Sequence, residues 1–203
     1  MAKTSIRLGV DIGGTFTDVV LEKGTEVFST KVLTTYAAPE NAIIDGMHQV
    51  LDKAGVAPSD VDQIIHGTTL ATNALIERRG AKTALITTEG FRDVIEMRTE
   101  SRFEQYDLNL NLPDPLLPRQ MRFTVGGRVD ANGAVLVDID RAEVEAVVDR
   151  IAAAGFESVA VGLIHSYLNP AHEQLVREVL AEKLPDVAVS ISSEVSPQMR
   201  EYE

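Results

Sequence analysis

The residues best suited to chemistry lie near the amino end, where an apolar, strand-like segment runs into a short glycine turn. Residues 11–18 read Asp-Ile-Gly-Gly-Thr-Phe-Thr-Asp. Two adjacent glycines let backbone N–H groups approach an anion closely, because no Cβ atom stands in the way. The Thr15 hydroxyl adds a donor, and the Asp11 carboxylate is suited to holding Mg²⁺ through water or to orienting a nucleophile. A bare glycine pair usually makes an ordinary hairpin turn. Here the flanking Asp11 and Thr17-Asp18 favour the phosphate-binding interpretation instead.

A second candidate segment follows a short apolar stretch further along the chain. Residues 66–73 read His-Gly-Thr-Thr-Leu-Ala-Thr-Asn. A buried strand is predicted to end at His66 and a helix to begin near Leu70, so that Thr68 or Thr69 caps the helix beside exposed N–H groups. Open α/β sheets bind ligands at such strand ends. An ordinary capped helix with a hydrogen-bonded core histidine explains the same pattern, and the local sequence leaves both interpretations open.

The elements that must position these segments follow from hydrophobic periodicity. The first part of the chain is predicted to contain an antiparallel meander followed by helix, strand, helix and strand, which makes a mixed sheet with helices on its faces. The predicted ranges are 6–12, 17–22 and 26–33 for the meander, 39–54 and 70–79 for the helices, and 61–66 and 84–87 for the later strands.

Beyond residue 88 the pattern is irregular and rich in Asn, Asp, Pro and Arg, apart from a short helix predicted over 91–97. Loops of this length in a compact domain are usually functional or disordered. We therefore predict a first part over residues 1–118 and a second small α/β unit over 119–203. The second unit is predicted to contain a hairpin at 122–137, helices at 140–154 and 170–183, strands at 158–164 and 187–192, and the first turns of a helix at 196–203. The chain is expected to stop inside that last helix.

Composition narrows the class of protein. The chain has 203 residues, a formal net charge of −12 and no cysteine. The negative charge disfavours general binding to nucleic acid or anionic membranes, and the lack of cysteine excludes cysteine zinc sites and iron–sulfur ligation within the chain. No apolar run approaches the roughly 20 residues of a membrane helix, and the amino end lacks an apolar signal core, so a cytoplasmic protein is expected. Any phosphate must then be held by backbone N–H groups, a helix end or a bound cation.

The motifs together resemble the hydantoinase A/5-oxoprolinase family. The resemblance rests on segments 11–18, 66–77 and 80–94 and continues through 106–108, 115–119, 128–130, 165–170 and 193–197. It therefore covers nearly the whole chain. The glycine turn also resembles the first phosphate loop of the actin, Hsp70 and sugar-kinase superfamily, which implies a ribonuclease H-like (actin-like ATPase) fold. Two other members of the superfamily fit this sequence less well, because the chain contains no cysteine. A bacterial sugar kinase commonly has a cysteine zinc cluster, and a dehydratase activator needs cysteines that bind an iron–sulfur cluster.

The resemblance implies an enzyme that uses ATP and Mg²⁺ to activate a stable carbonyl by phosphorylation. It implies ring-opening hydrolysis of a cyclic amide such as a hydantoin, 5-oxoproline or a lactam, or else carboxylation of acetone or acetophenone. It also implies a hydantoinase B-type partner subunit or domain, an oligomeric assembly, and a longer chain that carries the second phosphate loop and the adenosine site. Residues 1–203 alone are therefore expected to be inactive. A non-catalytic nucleotide-binding assembly module is the alternative from a different class.

These implications assign roles to individual residues. Asp11 and His66 are the catalytic candidates, and Asp11 is also the expected Mg²⁺ ligand through water. The expected phosphate-binding residues are Gly13, Gly14, Thr15 and Thr17, and the substrate-side candidates are Thr68, Thr69, Arg102 and His165. A core histidine for His165 and a solvated helix face for Arg102 remain the ordinary alternatives.

Overall fold

The computed structural model describes residues 5–98, 104 and 106–200. The chain divides into two compact units, Met1–Arg79 and Gly80–Glu203. This division lies upstream of the predicted one between residues 118 and 119. The reason is that the strand at Thr83–Thr88 pairs with strands of the second unit. The apolar sequence of this strand predicts that it is buried, but it does not indicate which sheet the strand joins.

The first unit is a mixed sheet with a helix on one face. Its elements are β1 (Ile6–Ile12), β2 (Phe16–Lys23), β3 (Glu26–Leu33), α1 (Pro39–Ala54), β4 (Gln63–Thr68) and α2 (Leu70–Ile76). The strand order is β3-β2-β1-β4, with β1 antiparallel to β2 and parallel to β4. The predicted meander and the predicted first helix are confirmed.

The core of the first unit lies between the sheet and α1. Alternate residues of β1 and β2, among them Leu8, Val10 and Leu21, are buried on that face. The helix approaches the sheet closely at Gly46, where an ideal Cβ atom would lie 2.6 Å from Val19 Cγ2. The opposite face of the sheet carries Asp11, which is exposed.

The β4–α2 segment departs from expectation, because β4 was predicted as a buried strand and α2 as a helix reaching residue 79. All residues of β4 are exposed, including Ile64 and Ile65, because β4 is the edge strand and α1 packs chiefly on β2 and β3. Helix α2 ends at Ile76, and Arg78 then adopts a left-handed backbone with φ of 52°, which an α-helix cannot include.

The second unit is a parallel α/β layer. Its elements are β5 (Thr83–Thr88), α3 (Val94–Met97), β6 (Arg122–Val125), β7 (Arg128–Val129), β8 (Val135–Val137), α4 (Arg141–Ala153), β9 (Ser158–Gly162), α5 (Ala171–Lys183), β10 (Ala188–Ile191) and α6 (Ser192–Val195). The sheet order is β10-β9-β5-β6, with every pair parallel, and β7 and β8 form a separate hairpin. Helices α4 and α5 pack on each other and enclose an apolar core against the sheet.

The last predicted helix is wrong over the described part of its range, since residues 196–200 are not helical and 201–203 lie outside the described residues. The short helix α6 comes earlier. Pro197 disfavours helical geometry at the residue before it, and Ser196 accordingly has φ of −154° and ψ of 84°.

A buried arginine anchors the irregular segment between β5 and β6. The Arg122 side chain is fully buried and donates to the Leu117 carbonyl at 2.8 and 3.0 Å and to Glu96 Oε1 at 3.1 Å. Arg119 pairs with Asp93 at 2.8 Å, and this hydrogen bond lowers the pKa of Asp93. The segment is thus tied to the sheet at both ends. Arg102, a substrate-side candidate, lies outside the described residues.

No helix among the described residues is both long enough and apolar enough to cross a membrane.

Acid is expected to destabilise the second unit through His172, which is buried at the start of α5. Burial lowers the pKa of His172, with the Asp138 carboxylate opposing that shift, and Nε2 has no hydrogen-bond partner among the described residues. The folded state therefore binds this proton less readily than the unfolded chain, whose histidine pKa is about 6.5. Above the unfolded pKa, His172 is neutral in both states and does not reduce the free energy of unfolding. That free energy falls as the pH drops from the unfolded pKa towards the lower folded pKa.

Urea unfolding at a series of pH values measures this effect. His172→Phe removes the titrating group and is expected to flatten the loss of unfolding free energy below about pH 6.5. His48→Gln, a change at an exposed histidine of α1, serves as the control and should keep the wild-type slope. An unchanged slope in His172→Phe would contradict the assignment.

Candidate functional site

The turn between β1 and β2 presents two neighbouring backbone donors. The Gly13 N–H closes the hairpin by donating to the Phe16 carbonyl at 3.0 Å, and the Thr15 carbonyl accepts from Thr34 N–H at 3.0 Å. The amides of Gly14 and Thr15 have no acceptor among the described residues. Paired N–H groups of this kind are suited to phosphate oxygens. A side chain at Gly13 is excluded, since an ideal Cβ atom would lie 2.9 Å from the Phe16 carbonyl oxygen.

A pair of buried threonines supports this turn from behind. The Thr34 hydroxyl donates to the Gly13 carbonyl at 3.0 Å and lies 3.0 Å from the Thr17 hydroxyl. Thr17 is 0% exposed, so the prediction that it contacts phosphate is wrong: as a buried residue of β2 it faces the core. Thr34 was missed, because a contact made 21 residues away has no local sequence signal.

Asp11 lies at the open end of β1 on the face opposite α1. It is paired in register with Asp18 on β2 and with Gly67 on β4. The Asp11 Oδ1 atom is 3.6 Å from an ideal Cβ atom on Gly67, so the carboxylate lies along a strand position that carries no side chain. Asp18 forms an ion pair with Lys31 at 2.9 Å. A carboxylate row therefore runs across the sheet directly beside the phosphate-binding turn.

These carboxylates fit a hydrated magnesium ion better than a protein cage. No group of three or more histidine, aspartate or glutamate side chains among the described residues is arranged to hold a metal. Magnesium keeps several waters and commonly binds one or two carboxylates together with substrate phosphates. Asp11 meets that requirement, whereas the Asp18 carboxylate is held by Lys31.

The second segment lies directly against the turn. Thr69 donates to the Ile12 carbonyl through its amide at 3.2 Å and its hydroxyl at 3.3 Å, and Asn73 Nδ2 donates to the Thr69 hydroxyl at 3.2 Å. Asn73 Nδ2 also lies 3.2 Å from an ideal Cβ atom on Gly14. Thr68 accepts from Leu70 N–H at 3.2 Å. The start of α2 thus forms one wall of the turn, and Asn73 is a wall residue that was not singled out from sequence.

His66 does not share the face of Asp11. It is paired in register with Val10, whose side chain faces α1, whereas Asp11 is paired with Gly67. Successive side chains of a strand point to opposite faces, so His66 and Asp11 project from opposite sides of the sheet. Asp11 and His66 therefore do not face one another across this sheet, and the catalytic role of His66 stays a prediction. His66 is exposed rather than part of the core.

His165 lies in a loop of the second unit, beyond the end of β9. Its backbone is left-handed, with φ of 62°, and its Nδ1 lies 2.9 Å from the Val129 carbonyl oxygen. The strand ends at Gly162 rather than at Ile164, because the next two amides bond to side chains: Leu163 N–H to Glu173 and Ile164 N–H to Thr88, both at 3.0 Å. Such over-determined, strained positions concentrate at functional sites.

The carboxyl ends of the second sheet hold carboxylates from the protein itself. Parallel sheets commonly bind anions at this edge. Here Glu143, in the first turn of α4, accepts from Gly126 N–H at 3.0 Å, and Glu173, in the first turn of α5, accepts from Leu163 N–H and from Ser193 N–H at 2.9 Å. Internal anions thus satisfy donors at these strand ends. The glycine turn of the first unit is the stronger phosphate-binding candidate.

Comparison with known proteins identifies the family of this chain. Residues 7–184 match the hydantoinase/oxoprolinase N-terminal region, and the chain belongs to that family. It is 36% identical to caprolactamase subunit alpha of Pseudomonas jessenii over 100% of this chain and 30% of that protein. It is 30% identical to the acetophenone carboxylase gamma subunit of Aromatoleum aromaticum over 97% of this chain and 29% of that protein.

Solved structures support the fold. The ATP-dependent caprolactamase of Pseudomonas jessenii matches with a TM-score of 0.81 and 37% identity, over 97% of this chain and 29% of that chain. A nucleotide-free acetone carboxylase matches with a TM-score of 0.83 at 23% identity, over 98% of this chain and 30% of that chain, which bears on the fold alone. The predicted actin-like α/β fold is confirmed. The chain spans about 30% of the length of these relatives.

Proposed function

We propose that this chain supplies the N-terminal, phosphate-binding part of an ATP-dependent hydrolase that opens a cyclic amide. The observation that carries the proposal is the glycine turn, in which the Gly14 and Thr15 amides lack acceptors among the described residues and Asp11 stands exposed beside them. Backbone donors of this kind favour phosphate, and a chain with a net charge of −12 has few basic side chains that could bind phosphate elsewhere. The similarity to caprolactamase subunit alpha points to an amide substrate.

The chemistry follows from the weak electrophilicity of an amide. Transfer of the terminal phosphoryl group of ATP to the amide oxygen releases ADP and turns that oxygen into a leaving group. The amide nitrogen gives up its proton in this step. Water then adds to the activated carbon, and collapse of the tetrahedral intermediate breaks the ring C–N bond, with the nitrogen leaving as the protonated amine. A second water hydrolyses the resulting acyl phosphate to carboxylate and phosphate. In this scheme the Gly14 and Thr15 amides hold phosphate oxygens, while Asp11 holds hydrated Mg²⁺, which neutralises charge during phosphoryl transfer.

The rest of the site is proposed to come from outside this chain. Because the relatives are more than three times as long, we assign the second phosphate loop and the adenosine contacts to a further domain. Names such as subunit alpha and gamma support an oligomer with a hydantoinase B-type partner. Substrate contacts from Thr68, Thr69, His165 and Arg102 stay predictions.

A ketone carboxylase is the second candidate, favoured by the similarity to the acetophenone carboxylase gamma subunit. The same turn and the same phosphorylation would then activate the enol oxygen of a ketone before carbon–carbon bond formation with bicarbonate. A nucleotide-binding module without turnover is the third candidate.

Phosphate release by the complete protein with its partner subunit separates these candidates. Caprolactam, hydantoin or 5-oxoproline is expected to stimulate ATP hydrolysis, with one ring-opened product for each phosphate released by amide activation. Stimulation only by acetone or acetophenone with bicarbonate would establish the carboxylase instead. ATP binding without hydrolysis under either condition would establish the non-catalytic module.

A further inference from the structure

We propose that Lys31 contacts a phosphate group bound at the glycine turn. This inference rests on the proposed function. Lys31 lies on β3 in register with Asp18, which in turn lies in register with Asp11 on β1. Residues paired in register point to the same face of a sheet. Lys31 is therefore the basic end of the row that Asp11 and Asp18 form across the open face.

The Lys31 side chain extends towards the turn. Its Nζ atom lies 5.2 Å from the centroid of the Phe16 ring and 2.9 Å from the Asp18 carboxylate. Phe16 directly follows Thr15, and its carbonyl oxygen accepts the bond that closes the turn. The ammonium group is thus held beside both the carboxylate row and the segment that carries the two available amides.

The negative charge around the turn favours a cationic side chain at this place. A nucleoside triphosphate brings several negative charges next to Asp11 and Asp18, in a chain whose net charge is already −12. Backbone amides supply only partial positive charge. Magnesium offsets part of the excess, and a flexible ammonium group within reach of the turn offsets more. Arg7, on the same face, is instead paired with Glu22 at the far end of β1 and β2.

The ion pair with Asp18 does not prevent this role. The side chains of Lys31 and Asp18 are 55% and 45% exposed, so the pair is solvated and weak. An ammonium group has three N–H donors, so Lys31 can keep Asp18 as a partner while it donates to a phosphate oxygen. Asp18 then acts as a positioning residue for the ammonium group, and Lys31 makes the contact.

Nucleotide titration of the complete protein with its partner tests the proposal. Lys31→Gln is expected to weaken Mg-ATP binding roughly tenfold, the size of one charge-assisted hydrogen bond, without changing the affinity for adenosine. Lys31→Arg should retain most of the affinity. Asp18→Asn should weaken Mg-ATP binding less than Lys31→Gln, since it leaves the cation in place.

The matched control is Arg7→Gln, which breaks an ion pair of similar exposure on the same face of the sheet, between β1 and β2 and away from the turn. It should bind Mg-ATP as the wild type does. Equal affinities in Lys31→Gln and Arg7→Gln, or equal losses in Lys31→Gln and Asp18→Asn, would mean that the pair is structural and would overturn the inference.

The failure of this inference is distinguishable from failure of the proposed function. If the wild type binds Mg-ATP and Lys31→Gln binds it equally well, the contact is wrong and the nucleotide site stands. If the wild type shows no Mg-ATP binding, both fall.

Discussion

Asp11→Ala is expected to abolish ATP-coupled turnover of the complete protein while leaving its fold intact. The Asp11 side chain is exposed and has no hydrogen bond or ion pair among the described residues, so its removal leaves no buried group without a partner. Positioning of a metal ion or a phosphoryl group is commonly worth several kcal/mol of the barrier, which corresponds to at least about a thousandfold in rate.

Steady-state phosphate release and thermal unfolding together check this expectation. Glu22→Ala provides the control, because Glu22 is a carboxylate on the same face of the sheet but far from the turn. It should retain activity. An Asp11→Ala protein with near-wild-type turnover would remove Asp11 from the mechanism, and one that fails to fold would show that the carboxylate has a structural role.

Glu173→Ala is expected to destabilise the second unit by several kcal/mol. Glu173 is 0% exposed, and its two oxygens accept from Leu163 N–H at 3.0 Å, the Ser192 hydroxyl at 2.7 Å, and the Ser193 amide and hydroxyl at 2.9 and 2.6 Å. A buried donor left without an acceptor costs roughly 1–3 kcal/mol. Several such losses approach the whole stability of a domain, about 5–15 kcal/mol.

Glu143→Ala is the matched control for this change. Glu143 occupies the same helical position in α4 but is exposed and accepts one backbone bond, from Gly126. Its loss should cost about 1 kcal/mol. Urea unfolding measures both variants, and similar midpoints for the two would contradict the assigned role of the Glu173 network.

The parts of the fold that could be predicted are those encoded locally. The α1 helix has Pro39 in its first turn, a regular apolar face and Gly55 just beyond its end, and its predicted bounds were correct. The glycine turn was likewise recognisable, because Asp11, Gly13, Gly14 and Thr15 are close neighbours in the chain.

The parts that could not be predicted depend on pairing between distant strands. A shift of one residue in register moves every side chain to the other face, so the sequence could not show that His66 and Asp11 point to opposite sides of the sheet. Neither the membership of β5 in the second sheet nor the hydrogen bonds that Glu173 and Thr34 make have a local pattern. Their partners lie 10 to 21 residues away or further.

A structure of the complete protein with a non-hydrolysable ATP analogue and Mg²⁺ is the most direct test of the nucleotide site. A phosphate oxygen is expected within about 3 Å of both the Gly14 and the Thr15 amide nitrogens. Phosphates bound elsewhere, with these two amides contacting only solvent, would contradict the assignment of the glycine turn.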